Sequence, residues 1–482
     1  MNARLIAYMM AVLVFCLGVF MIIPLTAAFY YGDGSAPAFL ISMTVTCALG
    51  ACVFLITRHR QDLYLSHRDG MVIVTLGWLI AGLIATMPYL ISGAIPDFTD
   101  AYFESMSGFT TTGASILQNI EAMPEGILLW RAQTQWLGGM GIIVLSIAIL
   151  PFLGIGGMEL YKAETPSPVV DKLTPRIAET AKALWKIYIF LTFSLIVLLL
   201  IGKMSLYDAV CHAFTTMPTG GFSPKNASVG YYQSAYIDIV ILTFMFLAGI
   251  NFSLHYKLVH GNIKRFFLDP EFRAYLCITV AFIFLVFTDV YVSIYTKITD
   301  ALRYSSFQVV SIITTTGFVT ADFEKWPALS QVILFISMFL GGMAGSTGGG
   351  IKIMRIILLA KHSYLEIIRI IHPHATTMVK LGGVPVSQTI MRSIWGFFLL
   401  FMGIYILGVI ILAALGLDMV TALTAMATCM SNVGPGFGGV GPMDNFASIP
   451  IAGKWFLSFS MLLGRLEIYT IIVFLIPAFW RK

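Results

Sequence analysis

Long apolar stretches separated by short basic connections dominate the chain. They cover residues 5–30, 36–56, 71–92, 130–151, 183–201, 235–254, 274–295, 330–360, 394–415 and 455–479. A helix rises about 1.5 Å per residue and the hydrocarbon core is about 30 Å thick, so each stretch has the length to cross a bilayer. The first is longer than the roughly 7–15-residue core of a signal peptide and reads as a spanning helix. Ten spans are the minimum count, with the glycine-interrupted 330–360 stretch counted once, as a bent segment.

Four of the gaps hold a second kind of segment. Residues 100–115 read DAYFESMSGFTTTGAS, too short and too broken to cross the membrane. Their core, residues 101–113, ends in glycine and is echoed by 209–221 (AVCHAFTTMPTGG), 305–317 (SSFQVVSIITTTG) and 422–434 (ALTAMATCMSNVG). Such a window reaches roughly 15–20 Å as helix, about half the apolar core. Each lies between two full spans. The pattern predicts an all-α membrane protein with four covalently linked span–pore loop–span hairpins around a pseudo-four-fold pore. Two transmembrane helices (residues 1–70) lead, followed by hairpins over 71–180, 181–272, 273–385 and 386–482. Asp100 and Asp208 directly precede their windows, and Asp300 and Asp418 lie a few residues upstream. As N-caps of the half-helices they need less explanation than as ion ligands.

Charge orients the chain. Basic residues gather in the connections TRHRQDLYLSHRDG (57–70), 156–182 (Lys162, Lys172, Arg176, Lys182), KLVHGNIKRFFLDPEFR (257–273) and 361–380 (Lys361, His362, Arg369, His372, His374, Lys380). All four fall on one side of the predicted topology. The positive-inside rule makes that side cytoplasmic, with both termini, and the half-spans enter from the other. Composition adds that 58% of residues are hydrophobic and 11% charged, against about 45–50% and about 25% in soluble domains. The net charge of +5 is explained by these loops, so no nucleic-acid partner is expected, and the lipid bilayer is the first partner. Cys16, Cys47, Cys52, Cys211, Cys277 and Cys429 show neither paired nor metal-ligand spacing and read as small hydrophobes.

The half-spans point to ion chemistry. Non-helical backbone at mid-membrane depth survives only when buried in protein or lining a wet cavity. Four half-helices converging on one axis would aim their negative dipole ends at a central cation. Glycine lets successive carbonyls face inward, and carbonyl rings that replace a hydration shell are how potassium filters work. One Thr-Thr-Thr-Gly alone reads equally well as an ordinary re-entrant turn; four copies in one context favour the filter. A second feature is 341–350, with six glycines among ten residues. At about 1 kcal/mol per glycine it cannot stay helical cheaply, and a plain hinge or close-packing site is the simpler alternative to a gate. Arg465 lies eleven residues beyond Lys454, which puts it roughly 16 Å deep if Lys454 marks the outer edge. Pairing with Glu467 is one reading, although positions two apart do not share a helix face.

The segments TTTGAS (110–115), MPTGGFS (217–223), TTTGFVT (314–320), SNVGPGFG (431–438), GGMAGSTGGGIK (341–352) and GRLEIYT (464–470) together resemble the Trk/Ktr/HKT superfamily of cation transporters. The two leading helices favour its bacterial Trk potassium-uptake membrane subunits. The resemblance implies a cation-binding selectivity filter from Thr111, Thr112, Gly113, Thr219, Gly220, Gly221, Thr315, Thr316, Gly317, Asn432, Val433 and Gly434, with the potassium ion as the species held. Glycine at Gly113 goes with potassium selectivity in that superfamily, serine with sodium-preferring plant members. Pro218, Asn432 and Pro435 depart from four-fold equivalence and imply looser selectivity than a TVGYG filter. The resemblance further implies a gate of Gly345, Ser346, Thr347, Gly348, Gly349 and Gly350 with Arg465 beside it, and a homodimer in the bacterial inner membrane. It implies, too, a cytosolic TrkA-like regulatory protein binding ATP, ADP or NADH, since this chain has no nucleotide fingerprint of its own. A proton- or sodium-coupled potassium symporter and a weakly selective cation channel are the alternatives. An enzyme is not expected: His212, His255, His362, His372 and His374 form no HExxH, and no nucleophile elbow occurs.

Overall fold

The structure is a computed structural model that describes residues 2–58, 66–139, 141, 177–261, 263–373 and 378–481. Most of the first basic loop, the inner end of the predicted 130–151 span and nearly all of the 156–182 loop lie outside the described residues, as does His374.

The described chain is a helical membrane protein. Among the described residues, six helical stretches are long and apolar enough to cross a bilayer unbroken or nearly so: Ala3–Tyr31, Ala36–Thr57, Arg68–Ser92, Lys182–Ile201, Pro270–Val290 and Gln388–Ala414. The first is kinked into Ala3–Phe20 and Ile22–Tyr31. Proline is the cause: Pro24 has no N–H to give the carbonyl of Phe20 four residues back. Gln133 supplies the missing donor, its Nε2 lying 2.8 Å from that oxygen. At the other end, Ser66 and Asp69 form a capping box that starts His67–Ser92. Asp69 also accepts the Asn2 N–H at 3.0 Å. The leading helices are thus fastened to the first hairpin at two levels.

Four short helices stand where the half-spans were expected: Phe98–Phe109, Leu206–Thr216, Ile298–Ile313 and Met419–Ser431. They are largely buried although they carry many hydroxyls, as segments enclosed by protein rather than lipid can be. Their caps correct the sequence reading. Only Asp418 caps its helix, accepting from Thr421 N–H. Asp97 and Ser205 cap the first two helices, bonding the N–H of Asp100 and Asp208, and the third starts at Lys297 without a side-chain cap. Asp100, Asp208 and Asp300 sit inside the first turn, where a negative charge favours the helix dipole. There Asp100 also pairs with Lys454 at 2.6 Å.

The second spans of the second, third and fourth hairpins differ most from expectation. A bend was anticipated in the third alone. In the second hairpin, Ala235–Ala248 and Phe252–Val259 meet at 101°, and in the fourth, Ile451–Arg465 and Tyr469–Leu475 meet at 112°. In the third, Ala328–Phe339 and Ile353–Ile371 are separated by a loop. In the first, the described part is the helix Glu125–Gly139, and the rest of the expected span lies outside the described residues. Breaking a helix in mid-membrane frees carbonyls that must find donors. Some donors are local, as Ile351 N–H is for Phe339 O and Ile468 N–H for Leu463 O, and others come from other hairpins, as Thr347 Oγ1 does for Ala248 O and Arg465 for Gly138 O and Gly139 O.

Candidate ion pathway

Each half-helix ends in the same way. The N–H of Thr112, Gly220, Thr316 and Val433 returns to the carbonyl of Ser107, Thr215, Ser311 and Thr428, at 2.9, 2.8, 2.8 and 2.9 Å. That six-to-one bond is a Schellman motif, and it demands a left-handed residue just before the donor. Thr111, Thr219, Thr315 and Asn432 fill that place with φ of 54°, 57°, 59° and 57°. Threonine is β-branched and unusual there, whereas asparagine is tolerated. Asn432, a departure by residue type, therefore conserves the backbone. Two positions after each comes a glycine, also at positive φ: Gly113 (81°), Gly221 (75°), Gly317 (79°) and Gly434 (100°).

These glycines touch one another's segments in a fixed order. A Cβ added to Gly113 would lie 2.3 Å from the Gly220 oxygen, and on Gly221 1.9 Å from that of Thr316. On Gly317 it would lie 2.0 Å from the Val433 oxygen, and on Gly434 2.9 Å from that of Thr112. The contacts run one to two, two to three, three to four and four back to one. The ring is closed. The carbonyls of Thr112, Gly220, Thr316 and Val433 hold equivalent places in it. Two hydroxyl pairs support it from behind, Thr110 with Thr112 and Thr314 with Thr316, each at 2.8 Å. Asn432 Nδ2 bridges to Thr112 Oγ1 at 2.9 Å.

Beneath the ring lies the glycine-rich loop. Its neck is closed by Gly341 N–H to Ile351 O (2.8 Å) and Ile351 N–H to Phe339 O (2.9 Å). Thr347 Oγ1 lies 3.0 Å from Met217 O and 3.2 Å from Ala248 O, and Gly349 N–H donates to Thr315 Oγ1 at 2.7 Å. A Cβ on Gly348 would meet Thr314 O at 3.1 Å, and one on Gly349 would meet Ser431 O at 2.3 Å. The loop therefore packs against the inner ends of half-helices two, three and four. Among the described residues the Ser346 hydroxyl has no hydrogen-bond partner, while Gly345 is exposed and its carbonyl accepts from Phe252 N–H. Gly350 turns the chain at a φ of 61°.

Arg465 ends its helix at this level. Its Nη1 donates to Thr347 O at 2.8 Å, and its Nη2 to Gly138 O and Gly139 O at 2.9 and 3.1 Å. It thus joins the loop to the end of the helix Glu125–Gly139 in the first hairpin. Glu467 pairs instead with Arg355, so the simple Arg465–Glu467 reading does not hold. A Cβ on Gly464 would stand 1.9 Å from Met430 O, so the last span reaches Arg465 only by passing flush against half-helix four.

Several site residues escaped the sequence reading. Gln135 Nε2 donates to Gly220 O at 2.7 Å while its Oε1 accepts from Phe222 N–H at 3.1 Å. Lys352 Nζ donates to Gly348 O, a second cation on the loop. Glu271 Oε1 accepts from Ala344 N–H (2.7 Å) and Met354 N–H (3.1 Å), stapling both ends of the loop. In sequence, Glu271 follows Pro270 and passes for an ordinary first-turn acid. The pair Glu104–Arg131 is buried at 0% and 3% exposure with 2.5 Å between Oε1 and Nε. Two opposite charges in adjoining membrane segments were the available signal for it. Removing one partner of such a pair leaves a buried, uncompensated charge and costs about 3–5 kcal/mol. Arg131→Met is therefore expected to lower the detergent-solubilised melting temperature markedly, and an unchanged thermal transition would contradict that account.

Comparison with known proteins follows the same lines. A family model for TrkH, cation transport protein, matches residues 35–482. The chain is 41% identical to the Trk system potassium uptake protein TrkH of Halomonas elongata and 41% to that of Escherichia coli, covering all of both chains in each case. The crystal structure of the potassium transporter TrkH from Vibrio parahaemolyticus aligns with 100% of both chains at a TM-score of 0.90 and 39% identity.

Proposed function

Because the chain belongs to the TrkH family of cation transport proteins, we propose that it carries potassium into the cell through the closed ring of four glycine-ended segments. One observation carries this reading: carbonyls of Thr112, Gly220, Thr316 and Val433 at equivalent positions, in four segments that touch in cyclic order. A ring of backbone oxygens can replace the hydration shell of a monovalent cation. The filter residues are then Thr111, Thr112 and Gly113 with their counterparts in the other three copies. Residues 71–180, 181–272, 273–385 and 386–482 are the four units of the pore, behind the leading pair in 1–70.

The loop is the gate in this proposal, and the described arrangement is its closed form. Thr347, Gly348 and Gly349 lie under the ring, and Arg465 holds the loop to the first hairpin through carbonyl oxygens. A guanidinium and the Lys352 ammonium on this path repel a passing cation. Opening requires the loop to leave Met217, Thr315 and Arg465 together. The Trk-system names of the relatives support partner subunits; in this proposal the trigger is a cytosolic TrkA-like nucleotide-binding subunit and the assembly a homodimer. The location in this proposal is the bacterial inner membrane, with both termini inside by the bias of the basic connections.

The test is the reversal potential of the purified chain in planar bilayers under asymmetric potassium and sodium. A reversal close to the potassium equilibrium value is expected. A reversal midway would replace the potassium filter with a general monovalent-cation path. Uptake that appears only under a proton gradient would replace the passive pore with a coupled transporter.

A further inference from the structure

A residue at one register of three half-helices, and one position earlier in the fourth, fastens the strand that leaves the ring. Counting back nine positions from each ring glycine (113 to 104, 221 to 212, 317 to 308, 434 to 425) gives Glu104, His212, Gln308 and Ala425. The first three are polar and fully buried. Glu104 accepts from Ser115 Oγ at 3.0 Å and from Ile116 N–H at 2.9 Å. The Nδ1 of His212 is 2.8 Å from Asp208 O and donates to it, which leaves Nε2 to accept from Ser223 Oγ at 3.2 Å. Gln308, with its amide oxygen turned to the backbone, accepts from Thr320 N–H at 2.7 Å and Ala321 N–H at 3.2 Å. The fourth copy has alanine at this register, and the neighbouring Thr424 takes over. Its hydroxyl accepts from Phe437 N–H at 3.0 Å and lies 2.8 Å from Phe437 O.

We propose that Glu104, His212, Gln308 and Thr424 are selectivity-determining positioning residues, each setting the height and tilt of one wall of the ring from outside the ion path. The inference rests on the reading of the ring as a potassium filter. Each grips its own copy two to four residues beyond the ring glycine, and the inner side of the same turn is already held by the Schellman bond. A short segment pinned on both sides cannot shrink onto a smaller ion, whereas one pinned only from below can. Four side chains of different chemistry do one job, because the strand needs an acceptor at that point, for a backbone N–H in copies one, three and four and for the Ser223 hydroxyl in copy two. The grips are also cross-linked. Arg131 donates to Glu104 Oε1 at 2.5 Å and to Ser223 O at 3.0 Å, and Glu324, just past the third ring segment, accepts from Gly438 N–H at 2.5 Å in the fourth.

The test is the potassium-to-sodium permeability ratio and the potassium flux, measured side by side on full-length variants in proteoliposomes. His212→Leu and Gln308→Leu, which fill the space without an acceptor, are expected to lower the ratio at least about fivefold while potassium flux persists. His212→Gln, which copies the third segment's side chain into the second, and Gln308→Glu are expected to restore most of it. Thr424→Val, an isosteric change, serves where the leucine variants do not elute as monodisperse protein, with the same fall expected. A merely structural role would lower flux and protein yield with the ratio unmoved, and the conservative variants would then rescue yield alone; that pattern overturns the inference. Wild-type protein with no potassium preference would instead overturn the underlying filter reading.

Discussion

Gly221→Ala and Gly317→Ala are each expected to reduce potassium flux by at least about 30-fold while the protein still reaches the membrane and elutes as the wild type does. Two costs combine. Both glycines have φ near +75° to +79°, where an L-residue loses about 1–2 kcal/mol. The new methyl would also sit 1.9 or 2.0 Å from a neighbouring carbonyl oxygen, and forced overpacking costs typically about 1–3 kcal/mol. Together they amount to roughly 2–5 kcal/mol at about 1.4 kcal/mol per tenfold. The strain can be relieved only by pushing away the Thr316 or Val433 carbonyl, the group proposed to hold the ion. Gly434→Ala should be the mildest of the four, since its methyl would first meet an oxygen at 2.9 Å. Rubidium uptake into proteoliposomes gives the ranking directly. Equal flux in all four alanine variants would remove the ring from the ion path.

Arg465→Ala is expected to act in the opposite direction, raising basal flux on the order of 100-fold in the absence of any regulatory partner. The substitution removes three hydrogen bonds that tie Thr347, Gly138 and Gly139 together. It also removes a charge. At about 5 Å and an effective dielectric near 20, a unit charge opposes a passing cation by about 3 kcal/mol, which corresponds to roughly a factor of 100. Arg465→Lys keeps the charge but cannot span three carbonyls from two nitrogens, so its flux should fall between the two. Deleting residues within 345–350 should open the same path by removing the obstruction itself. Wild-type basal flux in both Arg465→Ala and the deletion would show that neither element closes the pore.

The parts of this site differed in how plainly they could be read. The ring segments were visible because glycine recurs at the same place in four windows and threonine two positions before it in three of them, and the backbone there depends on local bonds five residues apart. The loop was visible for a similar reason: six glycines in ten residues are a composition no spanning helix tolerates. Arg465 stood out as a charge at a depth where charges are costly. Its partners did not, because they are carbonyls, which every residue has. Gln135 and Glu271 were hidden for the same reason. Their work is to bond backbone atoms 73 to 87 positions away.

The aspartates show how a local rule can point to the right place and the wrong residue. An acid at the start of a half-helix can cap it or lie in its first turn, and both are favourable. The choice at Asp100 and Asp208 went to Asp97 and Ser205, three residues earlier, where the chain turns into the helix. Hydrophobic length and the glycine period determined, from the sequence alone, the helical membrane class, the two leading helices and the four half-spans. Those depend on each segment's own burial and backbone preferences. Only the tertiary structure decided where the second spans break, which side chains grip the strands above the ring, and what Arg465 holds. A carbonyl freed in mid-membrane is stable only if a donor reaches it, and several of those donors come from other hairpins.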